Sequence, residues 1–128
     1  MTRKIIVATH GQFGKYLIES AAMIAGEMEE VTAIGLEADM APENFVHEVE
    51  KHLKDYEGKV LILVDLFGGT PFNSSAYMMK NYDVEIITGV NLPLLIELYN
   101  SFILNISDDI GSIMETAKES IKHIEKIV

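Results

Sequence analysis

The sequence predicts an α/β fold, a parallel sheet held between helices, and three observations carry that prediction. Two apolar runs, at 3–9 and 60–64, are too continuous for strands with one wet face. Strands buried on both faces read this way, and they occur where helices cover both sides of a sheet. Between such runs, apolar residues recur at helical spacing. The connections between segments are short, and strands alternate with helices along the whole chain.

The elements follow in order. The first strand, 3–9, contains Lys4-Ile5-Ile6-Val7-Ala8-Thr9. A helix over 13–28 is expected from Tyr16, Leu17, Ala21, Ile24 and Met28, which repeat near 3.6 residues. Val31-Thr32-Ala33-Ile34 has the β-branched enrichment of a second strand, 31–36. Phe45, Val46, Val49, Leu53 and Tyr56 stripe one face of a helix over 43–56, just after Pro42. The third strand is 60–64. Thr70 then has the character of an N-cap and Pro71 that of a first helical residue, opening a helix over 71–81. Val84-Glu85-Ile86-Ile87-Thr88 supplies the fourth strand. Segment 101–107 reads equally as a helix end or a short fifth strand. A last helix, 108–127, is expected behind an N-cap at Ser107 or Asp108, with Ile110, Ile113, Met114, Ala117, Ile121 and Ile124 on one face.

A β-α-β-α-β-α-β-α-α order with right-handed crossovers leads to a flavodoxin-like three-layer sandwich with strand order 2-1-3-4. The 128 residues match the commonest size of one domain, and 48% hydrophobic content is enough to fill a core on both sides of the sheet. Cysteine is absent, so no disulfide or thiol chemistry is expected. No apolar run reaches the ~18 residues of a spanning helix, and no signal-peptide core is visible, which together suit a cytoplasmic protein. The net charge of −10 argues against nucleic acid and for a basic protein partner steered by charge.

The chemistry concentrates at two strand ends. His10 follows the first strand and precedes Gly11; Asp65 follows the third and opens Asp65-Leu66-Phe67-Gly68-Gly69-Thr70-Pro71-Phe72-Asn73. In a 2-1-3-4 sheet these strands are neighbours, and ligands bind at the carboxyl edge where the strand order reverses. An imidazole, with an ordinary pKa of about 6.5, offers a neutral nucleophile near pH 7. A carboxylate accepting from one ring N–H leaves the other nitrogen's lone pair free and balances the charge that grows on the ring, as in a hydrolase triad. Gly68, Gly69 and Thr70, running into a helix start, offer backbone N–H groups, a hydroxyl and the positive end of a helix dipole to a phosphoryl group. The parts of a phosphohistidine site are therefore present. No nucleophile elbow, Walker loop or Gly-x-Gly-x-x-Gly occurs. His47 and His52 stand five apart, a poor spacing for chelation on one helical face, so with His123 they read as structural or surface residues. Neither a metal nor a cofactor is expected.

Thr9-His10-Gly11, the Val64-to-Asn73 run and Gly89-Val90-Asn91-Leu92-Pro93-Leu94-Leu95 together resemble the IIA component of the mannose/fructose/sorbose-type, or type-4, sugar phosphotransferase system. The resemblance spans essentially the whole chain. It implies that His10 accepts a phosphoryl group from HPr and passes it to a IIB component, that Asp65 orients His10, and that a IIC/IID permease is an indirect associate. It also implies supporting roles for Thr9, Gly11, Phe67, Pro71, Asn73 and Asn91, and a homodimer that exchanges a C-terminal antiparallel strand, for which 101–107 is a candidate. Phe67 stands where tryptophan is frequent and Thr70 where serine is. With the chain ending at Val128, a separate IIB polypeptide is expected. The phosphotransfer subunit of dihydroxyacetone kinase and a non-catalytic binding or regulatory module on the same scaffold are the competing readings.

Overall fold

The four strands β1 (Lys4–His10), β2 (Val31–Leu36), β3 (Val60–Val64) and β4 (Val84–Thr88) form one sheet in the order β2-β1-β3-β4, with every pairing parallel. The computed structural model describes residues 3–104, 106 and 109–126. The predicted strand order is the one observed. All five residues of β3 and five of the seven in β1 are buried, which accounts for their unbroken apolar sequence. Alternation along these strands feeds two cores. Ile5, Val7, Leu61 and Leu63 face one side, while Ile6, Ala8, Ile62 and Val64 face the other.

On the first side lie α1 (Phe13–Ala25), α4 (Leu92–Leu98) and α5 (Ile110–Glu119), contributing Ala21, Leu94, Leu95, Leu98, Ile113 and Ala117. On the second lie α2 (Pro42–Leu53) and α3 (Gly69–Met78), with Phe45, Val49, Leu53 and Met78. Phe45, Val49 and Leu53 of the expected α2 stripe are the buried ones; the helix ends at Leu53 rather than 56, so Tyr56 lies beyond it, and Val46 is half-buried. Lys4 Nζ donates to the carbonyl of His52 at 3.1 Å, putting a cation on the α2 C-terminus. The His52 ring also serves structure, its Nδ1 lying 2.9 Å from the Glu48 carbonyl.

Several expectations need correction. α1 stops at Ala25 rather than 28, and its inward face is Gly14, Leu17, Ile18 and Ala21; Tyr16 and Ile24 are exposed. The reason is close approach: a Cβ at Gly14 would meet the Val7 side chain at 3.0 Å, so α1 turns its smallest residues inward. α3 is formed from Gly69, so Thr70 sits inside the first turn rather than capping it. Segment 101–107 does not supply a strand among its described residues. α4 instead widens into a π turn, Tyr99–Ile103, whose Leu104 and Ile106 amides donate to the Tyr99 and Ser101 carbonyls. Phe102 is buried there, under the Arg3 guanidinium at 4.8 Å from the ring centre, and this core contact holds the turn in place. Asn105, Ser107 and Asp108 lie outside the described residues, including both expected caps of the last helix. The cap observed is Asp109, whose Oδ1 accepts from the Ser112 amide at 3.1 Å.

Finally, α5 ends at Glu119 instead of 127, and residues 121–126 are non-helical. Ile121 and Ile124 remain 76% and 73% exposed, Ile121 bordering a cleft with Ile87, Leu94 and Met114. Among the described residues, no helix is long and apolar enough to cross a membrane.

Candidate active site

β1 and β3 are hydrogen-bonded neighbours, with Ala8 opposite Val64, so the residues that follow emerge together at the carboxyl edge. His10 Nδ1 lies 2.9 Å from Asp65 Oδ2, and the same oxygen accepts the His10 backbone N–H at 3.0 Å. Asp65 Oδ1 accepts the Leu66 amide at 3.1 Å. The carboxylate is thus held at both oxygens, and one of them holds the histidine at two points. Burial raises the Asp65 pKa, but the backbone and ring hydrogen bonds and the charge of His10 outweigh it, so the net shift is downward. An ionised carboxylate only accepts, so in the neutral ring Nδ1 is the donor and the lone pair lies on Nε2. The histidine side chain is 46% exposed while its aspartate is 16% exposed, an accessible ring on a shielded support.

The open nitrogen faces the start of α3. A Cβ at Gly69 would lie 3.5 Å from His10 Cε1 and 3.7 Å from Nε2, and the residue has φ of +82°. Glycine therefore meets two demands there, a left-handed backbone and a clear face beside Nε2. Gly68 precedes it with φ of +90°. The backbone of Gly69, at a helix start, borders the space beside Nε2.

The other expected site residues divide. Thr9 is fully buried, and its Oγ1 accepts the Gly14 amide at 2.9 Å, tying the first turn of α1 to the end of β1. Gly11 turns the chain with φ of +55°, and its N–H reaches the Leu36 carbonyl at 2.8 Å. Phe67 is 81% exposed beside the site and packs against Phe72, ring centres 4.9 Å apart. Pro71 is buried in α3. Thr70 and Asn73, however, line a groove between α2 and α3 with Pro42, Val46, Ser74 and Tyr77. Asn91 caps α4, accepting the Leu94 amide at 2.9 Å, so its observed contact is structural. His47 and His123 are exposed. Sequence reasoning does not single out Gln12, Gly35 and Glu37, which meet at the base of the histidine loop. An isolated glycine within the strand pattern 31–36 is the signal available for one of them.

The depressed Asp65 pKa has a consequence for stability. Because the unfolded carboxyl, near 3.8, holds its proton more tightly than the folded one, unfolding free energy rises with pH through that window. The contribution is complete above the unfolded value and is lost as pH falls through the lower folded value. Acid titration of the folded protein should show this component, and Asp65→Asn should lack it. Equal acid dependence in both proteins would show that the hydrogen bonds do not favour the ionised form.

The wider relationships agree with this geometry. Residues 4–118 match the family model EIIA-man, described as the PTS system fructose IIA component. The chain is 31% identical to a fructose-specific EIIA component of Bacillus subtilis, covering 96% of this chain and 90% of that protein. It is 32% identical to the mannose-specific EIIAB component of Escherichia coli over 98% of this chain, but spans only 40% of that longer protein. Among solved structures, a phosphotransferase EIIA component from Streptococcus agalactiae superposes with a TM-score of 0.85 at 29% identity, over 95% of this chain and 97% of the other. A PTS IIA protein associated with a fucose utilization operon in Streptococcus pneumoniae gives a TM-score of 0.85 at 30% identity, over 96% and 93%. With the strand order and the matched residues both in accord, the chain belongs to the EIIA-man family of sugar phosphotransferase system IIA components.

Proposed function

We propose that this protein is a phosphohistidine relay of a sugar-uptake system, taking a phosphoryl group from phospho-HPr on His10 and delivering it to a IIB component. The observation that carries the reading is the Nδ1–Asp65 hydrogen bond, which directs the free lone pair of Nε2 toward the α3 start. In the forward step that lone pair forms a bond to phosphorus. The bond from phosphorus to the donor breaks, and its electron pair returns to the donor. Asp65 offsets the positive charge left on the ring. Backbone N–H groups from Gly68 to Thr70 and the α3 dipole meet the three equatorial oxygens. The Thr70 hydroxyl adds one neutral contact to these backbone groups, and its residue also borders the α2–α3 groove. The second transfer, to IIB, is the same reaction in reverse. Leu66, Phe67 and Phe13, all exposed, supply apolar surface beside the histidine for both protein partners. The work is cytoplasmic, with a IIC/IID permease as an indirect associate.

The test is incubation with phosphoenolpyruvate, enzyme I and HPr. One acid-labile phosphoryl group per chain, chased by a IIB protein, is the expected result. No adduct with demonstrably active upstream proteins would overturn the reading.

The proposal includes a homodimer, with the exchanged segment relocated. Among the described residues β4 has a neighbour on one side only, and an open edge of this kind invites pairing. The exposed Ile121 and Ile124, in the non-helical stretch 121–126, are the apolar residues available to cover it in a second copy. Sedimentation at micromolar concentration should give twice the chain mass. Truncation after Ser120 should give a folded monomer. A full-length monomer, or a truncated dimer, would remove this segment from the assembly.

A further inference from the structure

We infer that Gly35, at the carboxyl end of β2, is a positioning residue for His10, acting through the backbone of Gly11; the inference rests on His10 being the phosphoryl acceptor. β2 and β1 run in register up to the pair His10 and Leu36, and the Gly11 N–H then donates to the Leu36 carbonyl at 2.8 Å. One residue earlier, the Gly35 Cα lies directly against the Gly11 carbonyl. A Cβ at position 35 would overlap that oxygen and approach the Gly11 carbonyl carbon to 3.2 Å. What it meets is backbone, which cannot rotate aside as a side chain can. Just above this contact Gln12 Nε2 donates to Glu37 Oε1 at 2.8 Å. The end of β2 therefore grips the 10–12 loop from one side, as Thr9 Oγ1 and the Gly14 amide hold it from the other.

Relieving the overlap to an ordinary carbon–oxygen separation of about 3.3 Å requires the two backbones to part by roughly 1 Å. His10 is adjacent to Gly11, and two of its bonds end on one oxygen of Asp65, so any displacement of the loop is felt at Nδ1. A misplacement of that size away from the reacting atoms can lower a rate about 10²-fold. Phosphoryl transfer is especially exposed to such a loss because it depends mainly on positioning and charge.

The experiment compares Gly35→Ala with the wild type and with Phe45→Leu, a core substitution under α2 whose effect is on stability alone. Two quantities are read in folded protein at matched conditions: the ring ¹⁵N shifts of His10, which report the Nδ1–H tautomer, and the single-turnover rate of phosphoryl acceptance from phospho-HPr. Gly35→Ala should shift the His10 ring resonances and slow acceptance about 10²-fold, while Phe45→Leu leaves both at wild-type values. Unchanged His10 resonances in Gly35→Ala would overturn the inference, since the strain would then have been absorbed in β2. If Gly35→Ala does not fold, Gln12→Ala tests the same grip more gently, and it must move the His10 resonances for the inference to stand. The NMR readout needs no activity. A wild type that accepts no phosphoryl group would therefore defeat the relay reading while leaving the positional effect measurable.

Discussion

His10→Ala should remove phosphoryl acceptance altogether, leaving no acid-labile adduct at any incubation time. The expectation is absolute because no second histidine is equipped for the reaction. His52 is bound through Nδ1 to the Glu48 carbonyl, and its side of the molecule is the α2 C-terminus, where the dipole repels a phosphoryl group. His47 and His123 are exposed, and neither has a carboxylate hydrogen bond among those of the described residues. His10 itself is nearly half exposed, so its removal creates no core cavity and the variant should fold normally. Intact phosphate mass spectrometry on the folded variant is the measurement. Phosphoryl mapped to position 47, 52 or 123 in the wild type would reverse the assignment of the site.

The His10–Asp65 pair was legible in the sequence for a physical reason. Both residues follow strands so thoroughly apolar that their central place in the sheet, and hence their adjacency, hardly depends on the rest of the fold. Less was legible where backbone geometry decides. The Tyr99–Ile103 turn widens to a π form because Phe102 finds a buried place beneath Arg3, a contact between residues 99 positions apart that no local pattern announces. α5 stops eight residues early although its apolar periodicity continues; periodicity reports what a helix could bury, not where it ends. Thr70 has the right chemistry for a cap and for a phosphate contact. The structure instead starts α3 at Gly69, behind Gly68 with φ of +90°, so Thr70 lies within the first turn and borders the α2–α3 groove. The support of the histidine loop by Gly35 is marked in the sequence only by an isolated glycine within a strand pattern; that the space it leaves is filled by the Gly11 carbonyl is visible only in the structure.

Asp65→Asn keeps the shape of the site and should slow phosphoryl acceptance roughly 10²–10³-fold, about 3–4 kcal/mol of transition-state stabilisation. The carboxylate serves three donors: the His10 backbone and ring N–H groups at Oδ2, and the Leu66 amide at Oδ1. A side-chain amide has one acceptor oxygen and one NH₂, so one of its two ends must face a donor. With the NH₂ toward His10, Nδ1 becomes the acceptor, the proton moves to Nε2, and the attacking lone pair is lost in that population. With the oxygen toward His10, the correct tautomer survives but the NH₂ opposes the Leu66 amide. The negative charge that balances the phosphorylated ring is gone in either case. The wrong-tautomer effect alone reaches about 10⁴-fold in a serine-protease triad. A smaller loss is expected here because much of the barrier in phosphoryl transfer is lowered by groups around the moving phosphorus, which the substitution leaves in place. Single-turnover kinetics should therefore rank His10→Ala below Asp65→Asn, and Asp65→Asn below Thr70→Ala, whose loss should not exceed about 10-fold for one neutral hydroxyl contact. Ring ¹⁵N shifts in Asp65→Asn should show a new population with the proton on Nε2. Wild-type kinetics in that variant would take Asp65 out of the mechanism while leaving His10 in it.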